Sequence, residues 1–273
     1  MHAPLITDPT YRDVSQLMLV DVEDQSIFFS DAEDVSRESD CADPRVLYDP
    51  RCVSGWAMSR TRRAVDFSFA AFALLLTAPI MLVVAIFVRL SSKGPALFRQ
   101  ERMGRNGEVF TLYKFRSMRL APVSKRDADW QSHTVIGDQR ITLIGRLLRK
   151  YKLDELPQFW NIMRGDMSLI GPRPKLPHHE AIHMPFRPGI TGAATLAFRY
   201  EEEMLGTVPA KHLDVYYDRH IKPRKAEIDW EYMTQASLRS DLRIVWLTIK
   251  ACLGSEESDW QVSLPKFTPE SAD

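Results

Sequence analysis

The sequence predicts an α+β, helix-rich fold: an N-terminal Pro-kinked, re-entrant membrane helix and amphipathic interfacial helices around a small cytoplasmic domain. Three observations predict it. Residues 67–88 carry no charge, matching the roughly 20 apolar residues that a bilayer crossing requires. Residues 140–151 space Ile141, Ile144, Leu147, Leu148 and Tyr151 as one face of a helix, with Arg140, Arg146, Arg149 and Lys150 on the others. Elsewhere, short strand-like runs alternate with further helical patterns.

A chain of 273 residues, 45% hydrophobic, can bury a sizeable core. Its formal net charge of zero hides an asymmetry. Residues 1–50 hold 12 Asp/Glu against 3 Lys/Arg, leaving 33 basic and 24 acidic residues beyond them. A basic body suits anionic lipids or nucleotide phosphates, and no nucleic-acid partner is expected. Cys41, Cys52 and Cys252 show no C-x-x-C spacing, which argues against a disulfide framework or a zinc site and fits a reducing compartment. Residues 2–10 lack the basic and apolar regions of a secretory signal.

In chain order, residues 1–58 read as an acidic, weakly ordered extension, either a solvated lead-in or a docking tail. Residues 59–92 form the membrane element. Pro79 removes a backbone hydrogen bond near its middle, so a bend is expected at Thr77-Ala78-Pro79, with the Thr77 hydroxyl available to the freed backbone. Arg60, Arg62 and Arg63 precede the apolar run, and Arg89 and Lys93 follow it. Basic residues on both flanks give a spanning helix no preferred orientation, whereas a re-entrant helix satisfies both from one face.

Residues 93–254 form the main domain. Asn106-Gly107 is a hairpin turn signal between arms at 96–100 and 109–114. Residues 121–138 read as a loop. His178, His179 and His183 lie between prolines and read as loop histidines rather than metal ligands. Gly189 and Gly192 read as a turn. Residues 228–253 form the longest late helical pattern, with Leu242, Val245, Trp246, Ile249 and Leu253 as a core or membrane-facing stripe. Residues 255–273 read as a polar tail.

The chemistry centres on residues 152–174, KLDELPQFWNIMRGDMSLIGPRP. Asp154 stands where a helix N-cap would, with Glu155 beside it and Pro157 in the first turn. A helix start favours phosphate and keeps a carboxylate ionised. Lys114, Arg149, Arg173 and Arg199 are available to neutralise phosphate oxygens. A diphosphate arrives with Mg²⁺, which takes one or two carboxylates, and the candidates are Asp154, Glu155 and Asp214. An Asp-Glu pair at a helix start is also a common capping pattern. From the residues alone, the conclusion is a phosphate site at a membrane surface.

The 152–174 stretch closely resembles the signature of the bacterial sugar transferases, the monotopic phosphoglycosyl transferases. The resemblance extends to YKFRSM (113–118), RPGITG (187–192), LDVYY (213–217) and DLRIVWLT (241–248), and covers about residues 60–254. It implies transfer of a sugar-1-phosphate from a nucleotide diphosphosugar, usually a UDP-sugar, to polyprenyl phosphate, with release of UMP. By motif position, Asp154 resembles the nucleophile of a covalent phosphosugar intermediate and Glu155 its dyad partner. Asp214 falls at a further acidic position suited to Mg²⁺, and Lys114, Arg149, Arg173 and Arg199 match basic residues near the active site. The resemblance places residues 93–254 as a catalytic domain on the cytoplasmic face of the bacterial inner membrane, among anionic lipids and downstream glycosyltransferases. Two departures stand out. The Ser-Pro break is Ala78-Pro79 here, and the commoner W-A-Q-V-N-G-R is Ala193 to Arg199, AATLAFR, so the identity of the sugar is not carried over. The reading from another class is a membrane-anchored scaffold for glycan enzymes.

Overall fold

The computed structural model describes residues 51–119, 140–177, 184–206, 208–209 and 212–253. Most of the acidic extension, the 121–138 loop, His178, His179, His183 and the polar tail therefore lie outside the described residues. Helix α1, Arg60–Ser91, runs for 32 residues and alone among the described residues is long and apolar enough to cross a membrane. The Ser59 hydroxyl caps it by accepting the Arg62 amide. The helix continues through Pro79 rather than breaking there. The Thr77 hydroxyl donates to the Ala73 carbonyl at 2.7 Å. The carbonyl that loses its partner to Pro79 is that of Leu75, so Thr77 does not make the repair expected of it.

Two patches of α1 are buried. Arg62, Asp66, Ala70 and Ala73 lie near its start, and Val84 and Val88 near its end. Leu75, Leu76, Leu82 and Val83, between the patches, are exposed. The flanking arginines also turn inward. Arg62 grips Asp241 with two nitrogens, at 2.8 and 3.0 Å, and donates to the Ile170 carbonyl. Trp56 and Tyr232 donate to the same carboxylate at 2.9 and 2.6 Å. Asp66 accepts the Ser168 hydroxyl at 2.7 Å and the Leu169 amide. At the far end, Arg116 donates to the Ser92 carbonyl at 2.8 Å. Charges that the sequence offered as topology markers are thus partly anchors into the domain.

The anchoring begins before residue 59. Val53 is in the main core, and the Ser54 amide bonds the Met233 carbonyl, so these residues are part of the fold and not of the acidic extension. Cys52 is disulfide-bonded, while Cys252 is free. One bond is not the disulfide framework that the spacing argued against, but it stands against the reducing compartment read from the same cysteines.

Strands β1, Leu97–Met103, and β2, Val109–Phe115, form the expected antiparallel hairpin, with Leu97 opposite Phe115 and Met103 opposite Val109. Asn106 and Gly107 take the positive φ values, 54° and 80°, that the turn requires. Helix α2, Leu143–Lys150, is capped by the Thr142 hydroxyl and lies so close to the end of the hairpin that a Cβ on Gly145 would stand 1.9 Å from the Ser117 carbonyl oxygen. Leu148 joins Phe115, Val84 and Val88 in one apolar cluster. Leu143, Leu147 and Tyr151 remain exposed.

A 3₁₀ turn, Leu153–Glu155, leads into helix α3, Gln158–Arg164, which ends in a left-handed Gly165. Strands β3, Ser168–Ile170, and β4, Gly189–Thr191, pair in parallel. A Cβ on Gly189 would meet the Gly171 nitrogen at 2.2 Å. Gly189 and Gly192 therefore serve close backbone approach around a strand rather than a turn. Among the described residues, four short or medium α-helices come before the last: α4, Ala193–Ala197; α5, Glu201–Gly206; α6, Leu213–Tyr216; and α7, Lys222–Gln235, with a π-helical turn, Tyr217–Ile221, between α6 and α7. The last helix, α8, Leu238–Cys252, is separate from α7. The single late helix read from the sequence breaks at Ala236, where Ser237 and Ser240 form a reciprocal cap. Leu242, Trp246, Ile249 and Leu253 are exposed, and α8 turns Asp241 and Ile244 inward instead.

Candidate active site

The site forms where the turn before α3 meets strand β2. Asn161 of α3, fully buried, fixes this junction. Its oxygen accepts the Tyr113 amide at 3.1 Å, and its nitrogen donates to the Thr111 carbonyl at 2.7 Å. Both are β2 backbone groups, so Lys114 is held in register with Asp154 and Glu155. Lys152 enters the turn in the left-handed conformation, φ 55°.

Asp154 is not the cap of α3. It lies inside the 3₁₀ turn, makes no capping bond, and is 6% exposed. Its Oδ1 is buried without a hydrogen-bond partner among the described residues. The α-helix begins only after Pro157, which has no amide to offer the carboxylate, and the Leu156 amide donates to the Leu153 carbonyl instead. Burial, then the charge of Glu155, push the Asp154 carboxyl above the usual carboxylate range, against the pull of Lys114, Lys152 and Arg149. That reverses the direction expected from a helix terminus. Glu155 behaves oppositely. Burial would raise it, but Arg173, Lys152 and Lys114 outweigh burial and hold it below the usual range. The Arg173 guanidinium donates to Glu155 Oε1 at 2.9 Å. Two adjacent carboxyls are thus driven apart, one paired and firmly ionised, the other buried and unpaired.

Lys114 is pulled down to about 8 by burial and by Arg173, with Asp154 opposing. Its ammonium sits 5.1 Å from the Phe98 ring centroid. Arg149 pairs with Glu202 of α5. The structure therefore gathers Lys114, Arg149 and Arg173 around Asp154 and Glu155. Arg199 instead bonds the Tyr200 hydroxyl and lies over that ring, and it is not among the principal charges acting on either carboxyl. Nor is Asp214. Its helix α6 buries Leu213 and Tyr216 in a separate cluster with Phe198, Leu205 and Ile221, and no group of three metal-ligating side chains forms among the described residues.

With this geometry in view, the sequence comparisons are informative. Residues 57–255 match the profile of the bacterial sugar transferases. The chain belongs to the bacterial sugar transferase family. Its relatives include an undecaprenyl-phosphate glucose phosphotransferase of Komagataeibacter xylinus, 37% identical over 213 residues, which are 73% of this chain and 37% of that one. A UDP-N-acetylgalactosamine-undecaprenyl-phosphate N-acetylgalactosaminephosphotransferase of Aeromonas hydrophila is 36% identical, over 70% of this chain and 43% of the relative. A UDP-glucose:undecaprenyl-phosphate glucose-1-phosphate transferase of Caulobacter vibrioides is 33% identical, over 74% and 73% respectively. Against the first two, the match spans about two fifths of the relative's length.

This bacterial sugar transferase also brings to the site residues that sequence reading passed over. Arg102, pulled down to about 10 by burial and Arg173, donates to the Pro174 carbonyl at 3.1 Å. Lys225 of α7 pairs with Glu201 and lies within 5.5 Å of the Phe198 and Tyr217 ring centroids. Glu201 also acts on Arg173. The run Glu201-Glu202-Glu203 was the available signal: three acidic residues in a basic body invite cationic partners.

Proposed function

We propose that the chain transfers a sugar-1-phosphate from a nucleotide diphosphosugar, a UDP-sugar by the names of two relatives, to polyprenyl phosphate. The observation that carries this reading is the buried, unpartnered Asp154 Oδ1 beside a Glu155 already held by Arg173. A carboxylate without hydrogen bonds keeps its lone pairs for attack. In the first step, an Asp154 oxygen bonds the sugar-bearing phosphorus. The bond from that phosphorus to the bridging oxygen breaks, and UMP leaves with the electron pair. In the second, an oxygen of polyprenyl phosphate bonds the same phosphorus and displaces the Asp154 carboxylate, giving a polyprenyl diphosphosugar. Lys114, Arg149 and Arg173 neutralise phosphate charge during both.

Mg²⁺ fits the pair, because it keeps several of its waters and takes one or two carboxylates, and Asp154 Oδ1 is without a partner among the described residues. Asp154 and Glu155 would hold it, and it would neutralise diphosphate oxygens. The relatives' names differ in the sugar, so the sugar is read from neither. The test is incubation of the purified chain with radiolabelled UDP-sugars and no acceptor lipid. Label bound covalently to the protein, together with an equal yield of UMP, is the expected result. UMP formed only when acceptor is present would replace the two-step reading with direct transfer.

The re-entrant, monotopic placement on the cytoplasmic face of the inner membrane is part of the same proposal. It is supported by the attachment of both ends of α1 to one domain, Arg62 and Asp66 at the start and Arg116 at the end. Strand β2 contributes Leu112 to the cluster holding Ala70 and Phe115 to the cluster holding Val84 and Val88. The exposed stripes of α2 and α8 suit the lipid interface. Cysteines placed at positions 60 and 93 should react from the same side of sealed vesicles; labelling from opposite sides would make α1 a span.

A further inference from the structure

A second basic site lies at the other end of α3, at the foot of the membrane helix. A pocket there is lined by Ser59, Arg63, Asp66, Arg105, Ser168 and Arg187, among others. Helix α3, about 10 Å long, separates it from the Asp154 turn. Arg63 donates to the Ile162 and Met163 carbonyls, and Arg187 Nε to the Gly165 carbonyl at 2.7 Å, so two guanidiniums converge on the C-terminus of α3. The nearby Arg62 is already committed to Asp241. Arg105, on the hairpin turn, is different: its Nε is buried without a hydrogen-bond partner among the described residues.

Burial, then the charges of Arg63 and Arg105, push Arg187 below its ordinary value, and Asp66 is the opposing carboxylate. Asp66 is itself occupied by the Ser168 hydroxyl and the Leu169 amide. Three cations thus face one carboxylate that is bonded elsewhere. Such an arrangement is short of negative charge, and guanidinium forks match phosphate oxygens in shape. Its level in the molecule is informative too. One turn above Arg63, Phe67 is exposed, with the Arg63 guanidinium 5.9 Å from its ring centroid, and the uncharged run of α1 begins there. This is where charged chain gives way to apolar chain, the depth of lipid headgroups.

We propose that the Arg63–Arg105–Arg187 pocket binds a phosphate-bearing anion, supplied by an anionic phospholipid headgroup or by free phosphate, at a site separate from Asp154 and Glu155. The proposal does not depend on the reaction proposed above. Its test uses the full chain in neutral detergent, titrated with phosphatidylglycerol, phosphatidylcholine and inorganic phosphate, with bound molecules counted by native mass spectrometry. Arg105→Gln is the informative variant, because Arg105 Nε bonds nothing that the fold needs. The wild type should hold one anion per chain that depends on Arg105, and Arg105→Gln should weaken that one about tenfold, with recovery in Arg105→Lys. Phosphatidylglycerol preferred over phosphatidylcholine assigns the anion to a headgroup, and inorganic phosphate bound with the same Arg105 dependence assigns it to solution. Equal binding by wild type and a folded Arg105→Gln, or no binding of either anion, overturns the proposal.

Discussion

Asp154→Asn should leave a folded protein that releases no UMP, a loss of about 10⁴-fold or more, because the amide cannot form the covalent bond to phosphorus. The same substitution should not weaken the fold. A buried carboxylate with an unpartnered oxygen costs stability when ionised, and the raised pKa states this as a linkage. A group whose folded-state pKa lies above its unfolded value favours folding in its protonated form. That contribution is complete below the unfolded-state pKa and is lost as pH rises through the folded-state value. Once pH has risen through the folded-state value, the wild type carries the buried charge and the variant does not. Asp154→Asn should therefore melt at or above wild type at neutral pH, with the gap closing as pH falls toward about 4. Retained UMP release would remove Asp154 from the nucleophile role. A lower melting temperature at all pH values would mean that the carboxylate has structural partners.

Arg62→Ala should give the largest loss of stability, roughly 3–5 kcal/mol, because it leaves Asp241 buried without its cation. For a domain of this size that corresponds to a melting temperature lower by roughly 10 °C. Much of the loss is the cost of the stranded Asp241 charge. The double variant Arg62→Met, Asp241→Leu should therefore recover a large part of it, although Trp56 and Tyr232 then lose their acceptor. Losses that simply add in the double variant would mean that the two side chains act independently. Arg62→Lys should fall between, since an ammonium cannot reach both carboxylate oxygens and the Ile170 carbonyl in one plane.

Local signals were readable directly from the sequence. Asn106-Gly107 specified the hairpin because few other pairs accept positive φ twice. The carboxylate pair, Lys114, Arg149 and Arg173 were legible as a group from the motifs that carry them. The direction in which charged side chains point was not. Arg62 and Arg63 look like membrane flanks on paper, and only packing shows them reaching Asp241 and the end of α3. The role of Gly189 was equally hidden, since its conformation is ordinary and its constraint is the Gly171 backbone beside it. The break at Ala236 escaped a periodicity that runs unbroken on either side, because a Ser-x-x-Ser cap is weak as a pattern. Asp154 was misplaced by a single turn. Pro157 suits a helix start but also allows the α-helix to begin after it, and that choice frees the carboxylate.

Asn161 has one more implication. By holding the Thr111 and Tyr113 backbone from the helix that follows Asp154 and Glu155, one amide makes the strand and the turn parts of a single rigid frame. The relative orientation of ammonium and carboxylate is then settled once, when the chain folds. In the proposed reaction, a diphosphate would meet groups that already point where charge develops, and only its own freedom would be lost at each encounter. Chemistry here is aligned by an amide that need never touch the substrate.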